Sequence, residues 1–96
     1  MNSVSGSRPA PANQPLVQAF GERVRLYRQR SGLSQEDLAH SAGVHRTFVG
    51  QLERAEANPT LATIIRIAKA LQVRPGELLD GLEQLPVETG EPRRPK

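Results

Sequence analysis

The sequence predicts a compact all-α domain of five helices. Three observations carry that prediction. Apolar residues recur at three- and four-residue spacing in successive segments between about Leu16 and Leu79. Pro15 and Pro75 stand where such segments begin, and Gly32 and Gly43 where they stop. Aromatic residues are scarce and Trp is absent, so the core has to be aliphatic. Of the 96 residues, about 65–70 form this core domain, a size that folds alone with little margin.

Residues 1–14, MNSVSGSRPAPANQ, are rich in Ser, Pro, Asn and Ala and read as a disordered leader. Arg8 in that leader can be an arm for a phosphate, although a solvated leader explains the stretch as well. Pro15 suits the first position of helix 1. Leu16, Val17, Phe20, Val24 and Tyr27 then mark one face to about Arg30. The other side carries Arg23, Arg25, Arg28 and Arg30, usually a solvated face. Gly32 ends the helix and Leu33 seats the turn.

Helix 2 starts at Ser34, which with Asp37 matches a capping box, and runs over Leu38, Ala39 and Ala42. Gly43 falls where a helix must close in a left-handed conformation. Helix 3 follows at once with His45 as N-cap, and Val44 and Val49 bracket its start at staple spacing. Two helices joined by so short a glycine turn form a helix-turn-helix pattern. Helix 3 has two faces. Val49 and Leu52, with Phe48 beside them, point inward. Arg46, Thr47, Gly50, Gln51 and Arg54 make one outward stripe. Glycine in an exposed helix interior costs about 1 kcal/mol against alanine. Close approach of a partner, such as a DNA major groove, is a reason to keep Gly50 there.

Asn58-Pro59 marks a loop and Thr60 a cap for helix 4. Leu61, Ile64, Ile65, Ile67, Ala68 and Leu71 make that helix the most apolar element. Val73 and Leu78 bracket a short fifth helix with Pro75 in its first turn and Arg74 as a poor cap. The expected organisation is a leader over 1–14, a helix-turn-helix domain over 15–82 and a tail over 83–96.

Several function classes are excluded at this level. There is no Cys, so no disulfide framework and no Cys-based zinc site. His40 and His45 have no carboxylate at ligand spacing, so no metal is expected. No phosphate loop after a strand, nucleophile elbow or ligand cluster is present, so no enzyme and no cofactor are expected. No small-molecule ligand is evident. No apolar run reaches the roughly 20 residues of a membrane span. The net charge of +3 is a mild push toward nucleic acid.

From about Leu16 to Leu79 the chain resembles the phage repressor/Cro-type (XRE) helix-turn-helix family. The matching pieces are FGERVRLYRQRSGLSQEDLA, AGVHRTFVGQLER and NPTLATIIRIAKALQV. HRTFVGQLER is also similar to the recognition helix of small controller proteins from restriction-modification systems. The resemblance implies a five-helix repressor-like fold, with helix 3 entering the major groove of double-stranded DNA. Mapped residue by residue, it puts base reading on Arg46, Thr47 and Gln51. It puts a phosphate contact on Gln35 and an internal pairing on Arg28 and Glu53. Arg28, His45, Arg54 and Asn58 complete the expected phosphate contacts. The family usually has a glycine where this chain has Ala55, so either Ala55 is strained or helix 3 ends differently.

The function expected is a sequence-specific transcriptional regulator in the cytoplasm, associated with the nucleoid. It would bind a pseudo-palindromic operator as a homodimer, through Leu78, Leu79, Leu82 and Leu85. The other reading of those leucines is that they close the core from below. The alternative function is an adaptor or antitoxin-like module of the same fold with little DNA reading.

Overall fold

The computed structural model describes residues 14–87. Expectations for residues 1–13, Arg8 included, and for 88–96 lie outside the described residues. The elements are α1 (Pro15–Arg30), α2 (Gln35–Ala42), α3 (Arg46–Glu53), α4 (Leu61–Leu71) and α5 (Pro75–Leu79), followed by a 3-10 turn at Leu82–Gln84.

Side chains at the helix starts supply what the free backbone N–H groups need. The Asp37 N–H donates to Ser34 Oγ (2.9 Å) and the Ser34 N–H donates back to Asp37 Oδ2 (3.0 Å). That backbone N–H first, and then the Ser34 hydroxyl, hold the Asp37 carboxyl below its usual range. The Thr47 N–H donates to His45 Nδ1 at 3.1 Å, so His45 caps α3. Thr60 Oγ1 accepts from the Thr63 N–H at the start of α4 (3.1 Å). Arg74 has no acceptor to offer α5. Glu77 compensates by accepting from the Arg74 N–H at 3.1 Å.

Helix ends resolve the question about Ala55. Gly43 closes α2 at φ 73°, as expected for a residue without Cβ. Ala55 is itself left-handed, at φ 62°. The Glu56 N–H reaches Gln51 O (2.7 Å) and the Ala55 N–H reaches Leu52 O (3.1 Å), a Schellman closure. Gln72 closes α4 the same way at φ 62°. The two positions differ in one respect: Ala55 is buried and Gln72 is exposed.

Val24, Leu38, Val49, Leu52, Ile67 and Leu78 are the large side chains fully removed from water. They join all five helices in one aliphatic core. α1 crosses α3 at Gly21, where an added Cβ would collide with the Leu52 carbonyl oxygen. This close approach gave no sequence signal beyond the glycine itself. Arg23 does not belong to a solvated face. Its Nη1 donates to the carbonyls of Asp80 (2.8 Å) and Glu77 (3.2 Å), at the end of α5.

Two expectations need correction here. Leu78 and Leu82 are core residues at 0% and 5% exposure, and Leu85 packs half-buried against them, so the four leucines form no common outer surface. Only Leu79 of the set is exposed. The reason is that α5 and the 3-10 turn fold back as the floor of the core. For the same reason the domain does not stop at residue 82, because Leu85 still packs on it.

A buried ion pair fixes α1 against α3. Arg28 Nε donates to Glu53 Oε2 at 2.6 Å and Nη2 to Oε1 at 3.0 Å. Arg28 Nη1 donates to Leu33 O in the α1–α2 turn (2.8 Å). The first residue of α2 joins in, with Gln35 Nε2 donating to Glu53 Oε1 at 3.0 Å. The hydrogen bond to Glu53, outweighing burial, raises the Arg28 pKa above its ordinary value.

Gln72→Gly releases about 1–2 kcal/mol of left-handed strain and costs about 0.4–1 kcal/mol through a freer unfolded chain. It should stabilise the domain by about 0.5–1 kcal/mol in thermal melts. Ala55→Gly also gives up a buried methyl worth about 0.8 kcal/mol, so it should be close to neutral. Breaking the buried pair by Arg28→Met should cost about 3–5 kcal/mol in urea denaturation. The double change Arg28→Met, Glu53→Leu should recover most of that loss. A double variant no more stable than the single one would show that the pair itself, not an orphaned carboxylate, sets the cost.

Candidate nucleic-acid interface

The outer side of α3 and the first turn of α2 border one polar cleft. Ser34, Gln35 and Glu36 form one wall, and Arg46, Thr47 and Arg54 the other. The Gly43 turn sets this geometry by holding the start of α3 beside the start of α2. Arg46, Thr47 and Arg54 are exposed, and Gln51 is half-buried on the same helix. Arg46 opens α3 and Arg54 caps its end, so the two cations stand at opposite ends of the helix. A basic, hydrogen-bonding helix face of this kind matches the donor-acceptor edges of a duplex groove.

The expected contacts divide into groups. Arg46, Thr47 and Gln35 are brought to the cleft, together with Arg54. His45 is exposed and lines a neighbouring depression with Glu36 and Arg46, and its Nδ1 is occupied as the cap of α3. In neutral imidazole that leaves Nε2–H as the outward donor. Arg28 borders the cleft, but its side chain is only 11% exposed and its three nitrogens donate to Glu53 and Leu33. It is framework and no longer a free cation for a phosphate. Asn58 is exposed but lines a different, apolar depression with Leu16, Val17 and Phe20.

Gly50 also departs from expectation. It is buried, and an added Cβ would lie 3.0 Å from Arg54 Nη1 and 3.6 Å from Gln35 Oε1. The clearance over Gly50 is filled by this chain's own side chains, which lie across the cleft floor.

Two acidic residues on this surface were not singled out from the sequence. Glu36 Oε1 lies 3.9 Å from Arg46 Nη1. Glu56 accepts from Arg54 Nε and Nη2, each at 3.2 Å. The Arg54–Glu56 spacing hints at its pair. Nothing local announces Glu36 with Arg46, because the turn between the helices creates that proximity.

Comparison with known proteins agrees with this geometry. The HTH_3 family model, described as helix-turn-helix, matches residues 24–78. Control protein C.SmaI of Serratia marcescens is 48% identical over 64 residues, spanning 67% of this chain and 76% of the relative. The crystal structure of the restriction-modification controller protein C.AhdI from Aeromonas hydrophila superposes with a TM-score of 0.64 at 44% identity, covering 65% of this chain and 94% of that one. The DNA-binding domain of the P22 c2 repressor superposes with a TM-score of 0.64 at 35% identity, covering 68% of this chain and 86% of that one. With a helix-turn-helix matched over more than half its length, the chain belongs to the HTH_3 (XRE-type) family of DNA-binding transcription regulators.

Proposed function

We propose that the chain is a sequence-specific regulator that binds a pseudo-palindromic operator as a homodimer, with α3 in the major groove. The observation that carries this reading is the exposed row of Arg46, Thr47 and Arg54, with Gln51 beside it, on a helix whose other face is fully buried. Arg46 donates to guanine O6 and N7, Gln51 pairs with an adenine or guanine edge, and Thr47 meets a thymine methyl or a phosphate. Gln35, His45 and Arg54 hold phosphates around that helix, whereas Asn58 lies in the apolar depression away from it. The similarity to C.SmaI and C.AhdI supports a place among controller proteins of restriction-modification systems.

Homodimerisation has a geometric basis. One helix reads a few base pairs, whereas a twofold dimer places two helices about 34 Å apart on one face of the duplex. With Leu78 and Leu82 in the core, the apolar surface left for a second copy centres on Leu79 and Val87, 39% and 57% exposed. Leu61, 73% exposed, lies one turn before Ile64, which lines the same depression as Leu79 and Val87.

Selection of binding sites from a random duplex pool should return a symmetric sequence. Arg46→Ala should cost about 1–3 kcal/mol and relax choice at one base position of each half-site. Equal weakening on every sequence would instead make Arg46 a phosphate contact. Absence of binding to any duplex at low salt would favour the adaptor reading of the fold. Leu61→Asp, at an exposed position, should keep the chain helical and shift sedimentation toward monomer, with the melt falling only by the contribution of the second copy. A wild-type chain that sediments only as monomer at low micromolar concentration would overturn the dimer.

A further inference from the structure

We propose that Glu36 and Glu56 are guard carboxylates. Each is paired with one of the two exposed arginines at the ends of α3, and together they hold down binding to non-cognate DNA more than binding to the cognate site. The proposal rests on the DNA-reading function above and adds two specificity-determining residues to it.

The two pairs come from different elements. Glu36 sits in the first turn of α2, and Glu56 in the loop just past α3. Arg46 and Glu36 are 68% and 75% exposed in their side chains, and Arg54 and Glu56 are 58% and 53% exposed. Pairs so open to water contribute little to folding, so stability gives no strong reason for either carboxylate. Their effect falls on the ligand. Arg28, the third arginine at the cleft, is held inside by Glu53, so every arginine bordering the cleft carries a glutamate partner.

Charge arithmetic then separates two kinds of DNA. A phosphate out of register offers an arginine only the attraction that the glutamate already supplies. It must also tolerate that glutamate nearby. A guanine edge in register offers Arg46 two directed hydrogen bonds, and an ordered phosphate offers Arg54 a fixed partner. Those gains displace the carboxylate; a passing phosphate does not. Glu36 and Arg46 also flank both depressions beside the start of α3, so a groove that meets Arg46 meets Glu36 too. Repulsion of the wrong partner raises discrimination even where it lowers affinity.

The size of the effect follows from counterion release. Each cation returned to phosphate binding steepens the salt dependence by about 0.9 in log–log slope, which at 0.1 M salt is roughly eightfold in affinity. The test compares the full chain with Glu36→Gln and Glu56→Gln, after melts confirm that both variants fold. Binding is measured over a salt series to a mixed-sequence duplex and to the duplex selected from the random pool. Each variant should bind the mixed-sequence duplex about five- to tenfold more tightly, with a slope steeper by about one. The selected duplex should gain clearly less, so the specificity ratio falls. Equal gains on both duplexes would overturn the proposal, because the carboxylates would then only subtract charge. No gain on the mixed-sequence duplex would overturn it as well. Weaker binding of Glu36→Gln to the selected duplex would make Glu36 a base contact, accepting from a cytosine amino group, and not a guard. Failure of the unaltered chain to bind any duplex would strike at the DNA-reading function itself, an outcome distinct from all of these.

Discussion

A carboxylate in the core sets the frame for everything around it. Glu53 is 8% exposed, and an ionised group there survives only if its oxygens are fully hydrogen-bonded. Arg28 of α1 and Gln35 of α2 provide those bonds. The requirement therefore ties three helices to one point, at the base of the cleft. The same guanidinium also holds the Leu33 carbonyl, so the turn that leads into the helix-turn-helix is tied in too. Gly21 acts beside this clamp by letting α1 and α3 approach until backbone meets backbone. The aliphatic core supplies the bulk of the driving force, and these few polar and steric conditions select one arrangement of it.

What was legible in the chain was mostly local. The Ser34–Asp37 box, the His45 and Thr60 caps and the Gly43 closure each depend on residues within one turn, and each is where the pattern placed it. The Arg28–Glu53 pairing was available through family resemblance. The misreadings share one cause, which is tertiary context. Gly50 looked exposed because periodicity cannot see the Arg54 and Gln35 side chains folding over it. Leu78 and Leu82 looked like spare apolar surface because the chain's return beneath the core is not encoded in spacing. Arg23 looked solvated because its partners lie more than fifty residues away, at the end of α5.

The charged surface follows the same division. Arg28 is withdrawn into the frame, and Arg46 and Arg54 are left outside with carboxylates beside them. A mild net charge therefore conceals a more structured distribution, in which each arginine bordering the cleft stands beside a carboxylate. Composition alone reads this as modest attraction to any polyanion. The proposed guarding role makes that attraction depend on what the polyanion presents.

The separation of duties across α3 has an evolutionary consequence. Residues that hold the helix in place, Val49, Leu52 and Glu53, face inward, and their partners Gly21, Arg28 and Gln35 belong to other helices. Arg46, Thr47 and Gln51 carry little of that packing. Their identities can drift without disturbing the scaffold, so the chemistry presented on that helix face can change through a few substitutions. The domain is in this sense a cassette, with an exchangeable outer face mounted on a fixed frame.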